Sequence, residues 1–157
     1  MSRYIATVTL IGICFCSTAA ARTRSFGFGF TALGETGLSI KQQIRRSSAI
    51  ASGISWSFQD RASFGFHVDY LLDTLILSPR APSRFSLYYG FGGKFKSNPP
   101  QHDKTNDYEI GIRLPLGISY IFTTPPIDVF FEVGPVFDFL PNIGLGLSSG
   151  IGVRYLF

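Results

Sequence analysis

The chain has 157 residues and a formal net charge of +4, and 15% of its residues are charged while 45% are hydrophobic. This length is that of one domain. The basic residues are scattered, with Arg45 and Arg46 as the only adjacent pair, which argues against a nucleic-acid-binding surface. Glycine and phenylalanine are abundant, at 17 and 16 residues, and no segment after the first 21 residues shows a sustained 3.6-residue apolar period. The composition therefore predicts an all-β domain.

The first 21 residues have the order of a secretory signal peptide. A charged start with Arg3 is followed by an apolar run over 5–16 and then by small residues up to Ala21. The apolar run is shorter than the roughly 20 residues of a spanning helix. Cleavage after Ala21 removes Cys14 and Cys16, so we expect a β domain over 22–157 without a disulfide or a reactive thiol.

The first half of the domain alternates between apolar and small or polar residues, as half-buried strands do. Predicted strands cover 25–32, 37–44, 49–58 and 62–72. The second of these is the weakest, because its pattern is lost at Gln42 and Gln43. A tight turn at 59–61 places Trp56 opposite Phe64 on the apolar face, which keeps the register of a hairpin.

The second half continues the alternation with two interruptions. Residues 73–83 form a proline-containing connection without a clear pattern, and 96–105 form a polar loop around Pro99 and Pro100. Predicted strands cover 84–95, 106–122, 127–139 and 144–157. Pro115 lies inside the long strand 106–122, where it removes a backbone donor, so we expect a local distortion there.

The last strand has one strongly apolar face that ends on an aromatic residue. Ile151, Val153, Tyr155 and Phe157 share this face, while Arg154 lies on the opposite face among glycine and serine. This ending resembles the terminal strand of small bacterial outer-membrane β-barrels of the OmpX/OmpA-like family. The resemblance implies that these four residues form the signal read by the barrel-assembly machinery, that the C-terminus is periplasmic, and that the turns at 33–36, 59–61, 96–105 and 140–143 face outside.

The contents of the two faces distinguish a membrane barrel from a soluble one. A lipocalin-like carrier would need large apolar residues inside and charges outside, but here the polar face is rich in glycine and serine, which suit a crowded interior. Aromatic residues also collect near the predicted strand ends, as in interfacial girdles: Phe58, Tyr70, Phe95, Tyr120, Phe122, Phe139, Tyr155 and Phe157. We therefore predict an all-β, eight-stranded, antiparallel up-and-down transmembrane β-barrel, monomeric in outer-membrane lipid.

The inward face carries charges that need partners, because an isolated charge inside a narrow barrel is costly. Centring the loop 96–105 on residues 101 and 102 places Lys94 opposite Glu109. Centring the last turn on Asn142 places Arg154 diagonal to Asp128 and Glu132, with Arg113 on the neighbouring strand. These six residues predict a structural ion-pair network that fills the lumen; the alternative is a narrow path for protons or ions.

The sequence gives little indication of a catalytic, metal-binding or nucleotide-binding site. Small outer-membrane enzymes that modify lipid A use a serine, a histidine and an acid, but neither His67 nor His102 has a suitably placed serine. No metal spacing or nucleotide motif is present, so we expect no cofactor. The loop residues Lys96, His102, Asp103 and Lys104, with nearby Arg61, are candidates for contact with lipopolysaccharide or an extracellular protein; the alternative is a solvated loop.

The sequence therefore favours a non-enzymatic envelope protein of the outer membrane with a structural or surface-interaction role. Two alternatives stay open at this point. One is a lipid-A-modifying outer-membrane enzyme, and the other is a soluble periplasmic lipocalin-like carrier.

Overall fold

A computed structural model describes residues 25–34, 36–57, 63–77, 83–97 and 108–157. The predicted signal peptide lies outside these residues. None of the described residues forms a helix long and apolar enough to cross a membrane. The described chain folds into nine strand segments: β1 Phe26–Ala32, β2 Thr36–Arg45, β3 Ser48–Ser57, β4 Ser63–Leu77, β5 Ser83–Ser97, β6 Tyr108–Arg113, β7 Leu116–Phe122, β8 Ile127–Leu140 and β9 Gly144–Leu156.

These segments form a closed antiparallel ring. Each strand from β1 to β5 pairs with the next one along the chain, β8 pairs with β9, and β9 pairs back with β1. Segments β6 and β7 both pair with β5 on one side and with β8 on the other, so together they fill one position. The ring thus has the predicted eight strand positions and the predicted up-and-down order. Closure leaves the sheet without a free edge along its paired length.

The division between β6 and β7 lies at Leu114 and Pro115, where the sequence predicts a distortion. Backbone hydrogen bonds continue across it, since the Gly90 amide donates to the Pro115 carbonyl at 2.8 Å and the Leu114 amide donates to the Pro135 carbonyl at 3.0 Å. The proline therefore interrupts the regular ladder locally without separating the neighbouring strands.

Two strands are longer than their patterns predict. β4 continues to Leu77 through part of the connection expected at 73–83, with a register shift between Asp73 and Leu75. β2 extends to Arg45, with a shift between Gln43 and Arg45. A β-bulge inserts a residue and reverses which residues share a face, so alternation breaks although the strand continues. The register predicted between the strands now numbered β3 and β4 is confirmed, because Trp56 lies opposite Phe64.

The two faces of the ring have opposite chemistry. The outward row is apolar and exposed, as Phe91 at 59% and Leu116 at 56% illustrate. The inward row contains glycine, serine and charged side chains, and Arg154 and Asp128 are almost completely buried. This arrangement confirms the predicted direction of the faces. It is the reverse of a soluble container, whose large apolar residues would lie inside.

Aromatic side chains meet at the end of the ring where β9 terminates. Phe157 contacts Tyr155 and Phe26, with ring centroids 5.0 and 6.1 Å apart, and Tyr120 contacts Phe122 at 4.7 Å. Tyr70, expected at a strand end, lies in mid-strand because β4 is longer than predicted. Phe58, also assigned to a girdle, lies outside the described residues.

The interior is packed closely around Tyr88, whose side chain is completely buried. Tyr88 lies directly opposite Gly117 on β7, and a Cβ atom at Gly117 would overlap the tyrosine ring. Glycine is therefore required at this position by the space that the ring occupies.

We expect Gly117→Ala to lower the free energy of unfolding by about 1–3 kcal/mol, as overpacking does. Guanidinium unfolding of the refolded protein, followed by fluorescence of Trp56, measures this change. Gly93→Ala on the outward face of β5 is the matched control, since a Cβ there meets nothing within 4 Å. Equal unfolding midpoints for the two variants would contradict close packing at Gly117.

Candidate functional site

The candidate site is the polar interior of the ring, where side chains from most of its strands converge. The buried polar and charged residues described there are Ser39, Lys41, Ser48, Ser55, Asp69, Ser86, Arg113, Ser119, Asp128, Glu132 and Arg154. Charged groups removed from water in this way are tolerated when each has a partner of opposite charge and further hydrogen bonds. The contacts fall into three groups along the axis of the ring.

The central group surrounds Glu132 and Arg113. Arg113 donates through Nη2 to Glu132 Oε1 at 2.6 Å, and its Nε lies 3.3 Å from Asp69 Oδ1. The second oxygen of Glu132 accepts a hydrogen bond from the Tyr88 hydroxyl at 3.1 Å. These four side chains come from β4, β5, β6 and β8, so the group links strands that are distant in sequence.

A second group lies toward the C-terminal end of β9 and is organised by Arg154. Its Nη1 lies 3.3 Å from Asp128 Oδ2, and its Nε donates to the Ser39 hydroxyl at 2.9 Å. The guanidinium carbon lies 3.5 Å from the centroid of the Phe130 ring, a cation–π contact. Asp128 also accepts a short hydrogen bond from Ser119. Arg154 therefore has a charged, a polar and an aromatic partner.

The third group joins β2, β4 and β5 through Asp73. Lys41 Nζ lies 4.0 Å from Asp73 Oδ1, and Ser86 and Gln43 donate to the Asp73 carboxylate, each at 3.2 Å. The Lys41 ammonium also lies 5.2 Å from the centroid of the Tyr88 ring, which connects this group to the central one. The three groups together fill the cross-section of the ring.

Some partners in this network differ from the predicted ones. Lys94 lies opposite Gly111 rather than Glu109, and Glu109 lies opposite Lys96. Arg154 lies directly opposite Asp128 instead of diagonal to it. Both observed registers differ from the predicted ones by two residues, which is the change that a one-residue error in the assumed centre of a turn produces.

Glu132 lies opposite Gly150 on β9, and its ion pair is with Arg113 rather than with Arg154. The sequence did not identify Lys41, Asp69, Asp73 or Tyr88 as network members. Lys41 lies on the strand with the weakest pattern, and Asp73 follows a bulge. For Asp69 and Tyr88 the signal was present, because both were on the predicted inward face.

The remaining predicted residues are those of the assembly signal and of the surface loop. Ile151, Val153, Tyr155 and Phe157 form an exposed outward row at the end of β9 and around the terminus, and their recognition by assembly machinery stays a prediction. Lys96 lies near the end of β5, whereas the loop residues His102, Asp103 and Lys104 lie outside the described residues.

His67 is the histidine that the structure describes. Its Nε2 lies 3.8 Å from Oδ2 of Asp69, which is a member of the central group. The described part of the chain contains no group of three or more His, Cys, Asp or Glu side chains that could hold a metal ion.

Comparison with known proteins adds a family and a fold. A family model described as "Protein of unknown function (DUF3996)" matches residues 21–155. The chain belongs to the DUF3996 family. No curated protein matches this DUF3996 chain.

Among solved structures, the N-terminal β-barrel domain of Pseudomonas aeruginosa OprF is similar, with a TM-score of 0.59 and 12% sequence identity. The alignment covers 85% of the DUF3996 chain and 96% of the OprF domain. At this identity the similarity shows a shared fold, and it agrees with the closed ring of antiparallel strands described above.

We expect Arg154→Met in this DUF3996 protein to lower the free energy of unfolding by about 3–5 kcal/mol, because Asp128 would be left as a buried charge without its arginine. Adding Asp128→Asn to the same variant should restore most of the loss. Arg84→Met, which removes an exposed arginine at the start of β5, should have little effect. An unfolding midpoint for Arg154→Met equal to that of Arg84→Met would show that the pair is not needed for stability.

Proposed function

We propose that this protein is a non-enzymatic integral β-barrel of the bacterial outer membrane, exported through a cleaved signal peptide, with a structural or surface-interaction role. The observation that carries the proposal is the apolar exterior of a closed ring whose charged side chains are inside. Outer-membrane lipid is its proposed surrounding, and the barrel-assembly machinery is its proposed partner during insertion.

The exterior supports a lipid environment in detail. Apart from Arg45, at the exposed end of β2, no position on the outward row of the described strands holds Asp, Glu, Lys or Arg. Large side chains such as Phe30, Leu116 and Val153 are exposed at 64%, 56% and 49%. A surface of this kind in water would be an extensive apolar patch, which soluble monomers avoid. In a bilayer the same surface contacts acyl chains.

Backbone hydrogen bonding supports the same environment. Hydrocarbon offers no partner for an open strand edge, so only closed sheets and helices cross a bilayer. The pairing of β1 with β9 closes this sheet. The fold of the OprF N-terminal domain, a β-barrel, agrees with a closed sheet.

The filled interior favours a structural role over a conducting one. Arg113, Glu132, Asp69 and Tyr88 contact one another across the ring, and Arg154 and Asp128 close the next layer. Water and ions would have to displace these paired groups in order to pass. We therefore propose that the ion pairs hold the strands together as an internal plug.

Cell fractionation of the full-length protein tests the location. We expect it in the outer-membrane fraction, resistant to carbonate extraction, with an unboiled sample that migrates differently from a boiled one on a detergent gel. Mass spectra of the membrane lipids should be the same with and without the protein, as a non-enzymatic role requires. Recovery in the soluble fraction without heat-dependent migration would overturn the proposal.

A charge on the outward row should destabilise the barrel according to its depth in the bilayer. Phe91 is near the middle of β5 and Phe122 is at the end of β7. We expect Phe91→Arg to cost about 2–4 kcal/mol and Phe122→Arg about 0–1 kcal/mol. Reversible unfolding from lipid vesicles measures both, and equal costs would contradict a transmembrane placement.

A further inference from the structure

The rim of the barrel has a gap at the end opposite the C-terminus. β9 pairs with β1 only from Leu156 to Ile151, and residues 144–150 pair with β8 alone. The turn after β1 fills the base of this gap, with Leu33 and Gly34 in left-handed backbone conformations. A Cβ atom at Gly34 would lie 2.7 Å from the Ser149 carbonyl oxygen, so the turn approaches β9 closely. Over residues 144–150, the side of β9 that faces away from β8 has no strand neighbour among the described residues.

A cavity of about 260 Å³ lies inside the barrel behind this gap. Its lining includes Ser55 and Trp56 from β3, Lys94 and Lys96 from β5, and Ser148 and Ser149 from β9. Lysine and serine side chains are hydrogen-bond donors that suit phosphate oxygens. The size and the donors together fit a small anionic group.

The charged residues in the described part of the cavity lining are Lys94 and Lys96. Lys94 lies opposite His67 on β4, and Lys96 lies opposite Glu109 on β6. The neighbouring strands carry two acids, Glu109 and, opposite Gly111, Asp138, and neither belongs to the described part of the lining. A smaller pocket of about 20 Å³, lined in part by His67, Arg113 and Glu132, also includes Ser55, Ser148 and Ser149. A lining whose described residues include two lysines and no carboxylate favours an anion.

The outer side of the gap is strongly apolar. Leu147 both lines the cavity and is 76% exposed, so it belongs to the cavity wall and to the outer surface. Leu145 and Ile143 beside it are 73% and 89% exposed. A molecule placed here would meet lysines on the inside and leucines on the outside. This is the polarity of a lipid with an anionic headgroup.

We propose that this cavity binds the phosphate-bearing headgroup of an anionic membrane lipid, whose acyl chains lie outside against Leu145 and Leu147. Lys94 and Lys96 bind the phosphate, and the gap beside β9 is the lateral opening through which the lipid enters. The apolar wall indicates that the bound phosphate belongs to a lipid and is not a free anion. This part of the proposal rests on the proposed membrane location.

Trp56, the single tryptophan of the chain, shares the outward face with Phe64 and also lines the cavity, so we expect its fluorescence to change when the cavity is occupied. The full-length mature protein is refolded in detergent and titrated separately with dihexanoyl phosphatidic acid, dihexanoyl phosphatidylcholine and inorganic phosphate. We expect saturable binding of phosphatidic acid and affinities at least about ten-fold weaker for the other two, because one lacks net charge and the other lacks acyl chains.

Lys94→Gln/Lys96→Gln should weaken phosphatidic acid binding by about ten-fold or more, since it removes both charged donors. Arg45→Gln/Arg46→Gln is the matched control, because it removes two exposed positive charges from the turn at the opposite end.

Leu147→Gln should weaken phosphatidic acid binding and leave phosphate binding unchanged. Heat-dependent migration shows that each variant has folded, and the single Lys94→Gln and Lys96→Gln variants replace the pair if it does not fold.

Three results would overturn the proposal. Equal binding of phosphatidylcholine would indicate apolar partition without a headgroup site. Equal binding of inorganic phosphate would indicate a free anion rather than a lipid. Equal effects of the lysine and arginine pairs would indicate nonspecific charge attraction. These results are independent of fractionation, which tests the membrane location by itself, so failure of either proposal can be recognised separately.

Discussion

The structure depends on one constraint, which is that every charge enclosed by the ring has to be neutralised within it. Arg113 lies between Glu132 and Asp69, and Arg154 is bound to Asp128 and stacked on Phe130. The pair between Arg154 and Asp128 joins the neighbouring strands β8 and β9, whereas Arg113 contacts Asp69 on β4 and Arg154 contacts Ser39 on β2, so these contacts also link strands across the ring. Removing one partner would expose the other to an interior with little water, where an unpaired charge is far more costly than at a surface.

Closure and the apolar exterior are two consequences of the same alternation. Each strand places its large apolar residues outward and mostly small or charged residues inward, and glycine lies opposite some of the large inward side chains. Tyr88 and Gly117 show this relation directly. The interior is consequently tight in its centre, and free volume is found near the rim, where β1 ends before β9 does.

The family and the solved fold support different parts of this account. Membership of the DUF3996 family covers nearly the whole domain, and the similarity to the OprF barrel, at 12% identity, concerns architecture. The physical argument for a membrane location comes from the chain itself, because the outward row of its strands is apolar and its sheet is closed. The cavity behind Leu147 is a separate feature of this chain, defined by where two lysines and an exposed leucine meet.

The sequence by itself determined the strands, the direction of their faces and the distortion at Pro115, because alternation and proline chemistry are local properties. It also placed Arg113, Asp128, Glu132 and Arg154 on the inward face. Only the tertiary structure decided which of them pair, since a one-residue change in the centre of a turn moves the register by two residues. The bulge after Asp73 and the contact of Lys41 with that residue also depend on pairing between strands far apart in the chain.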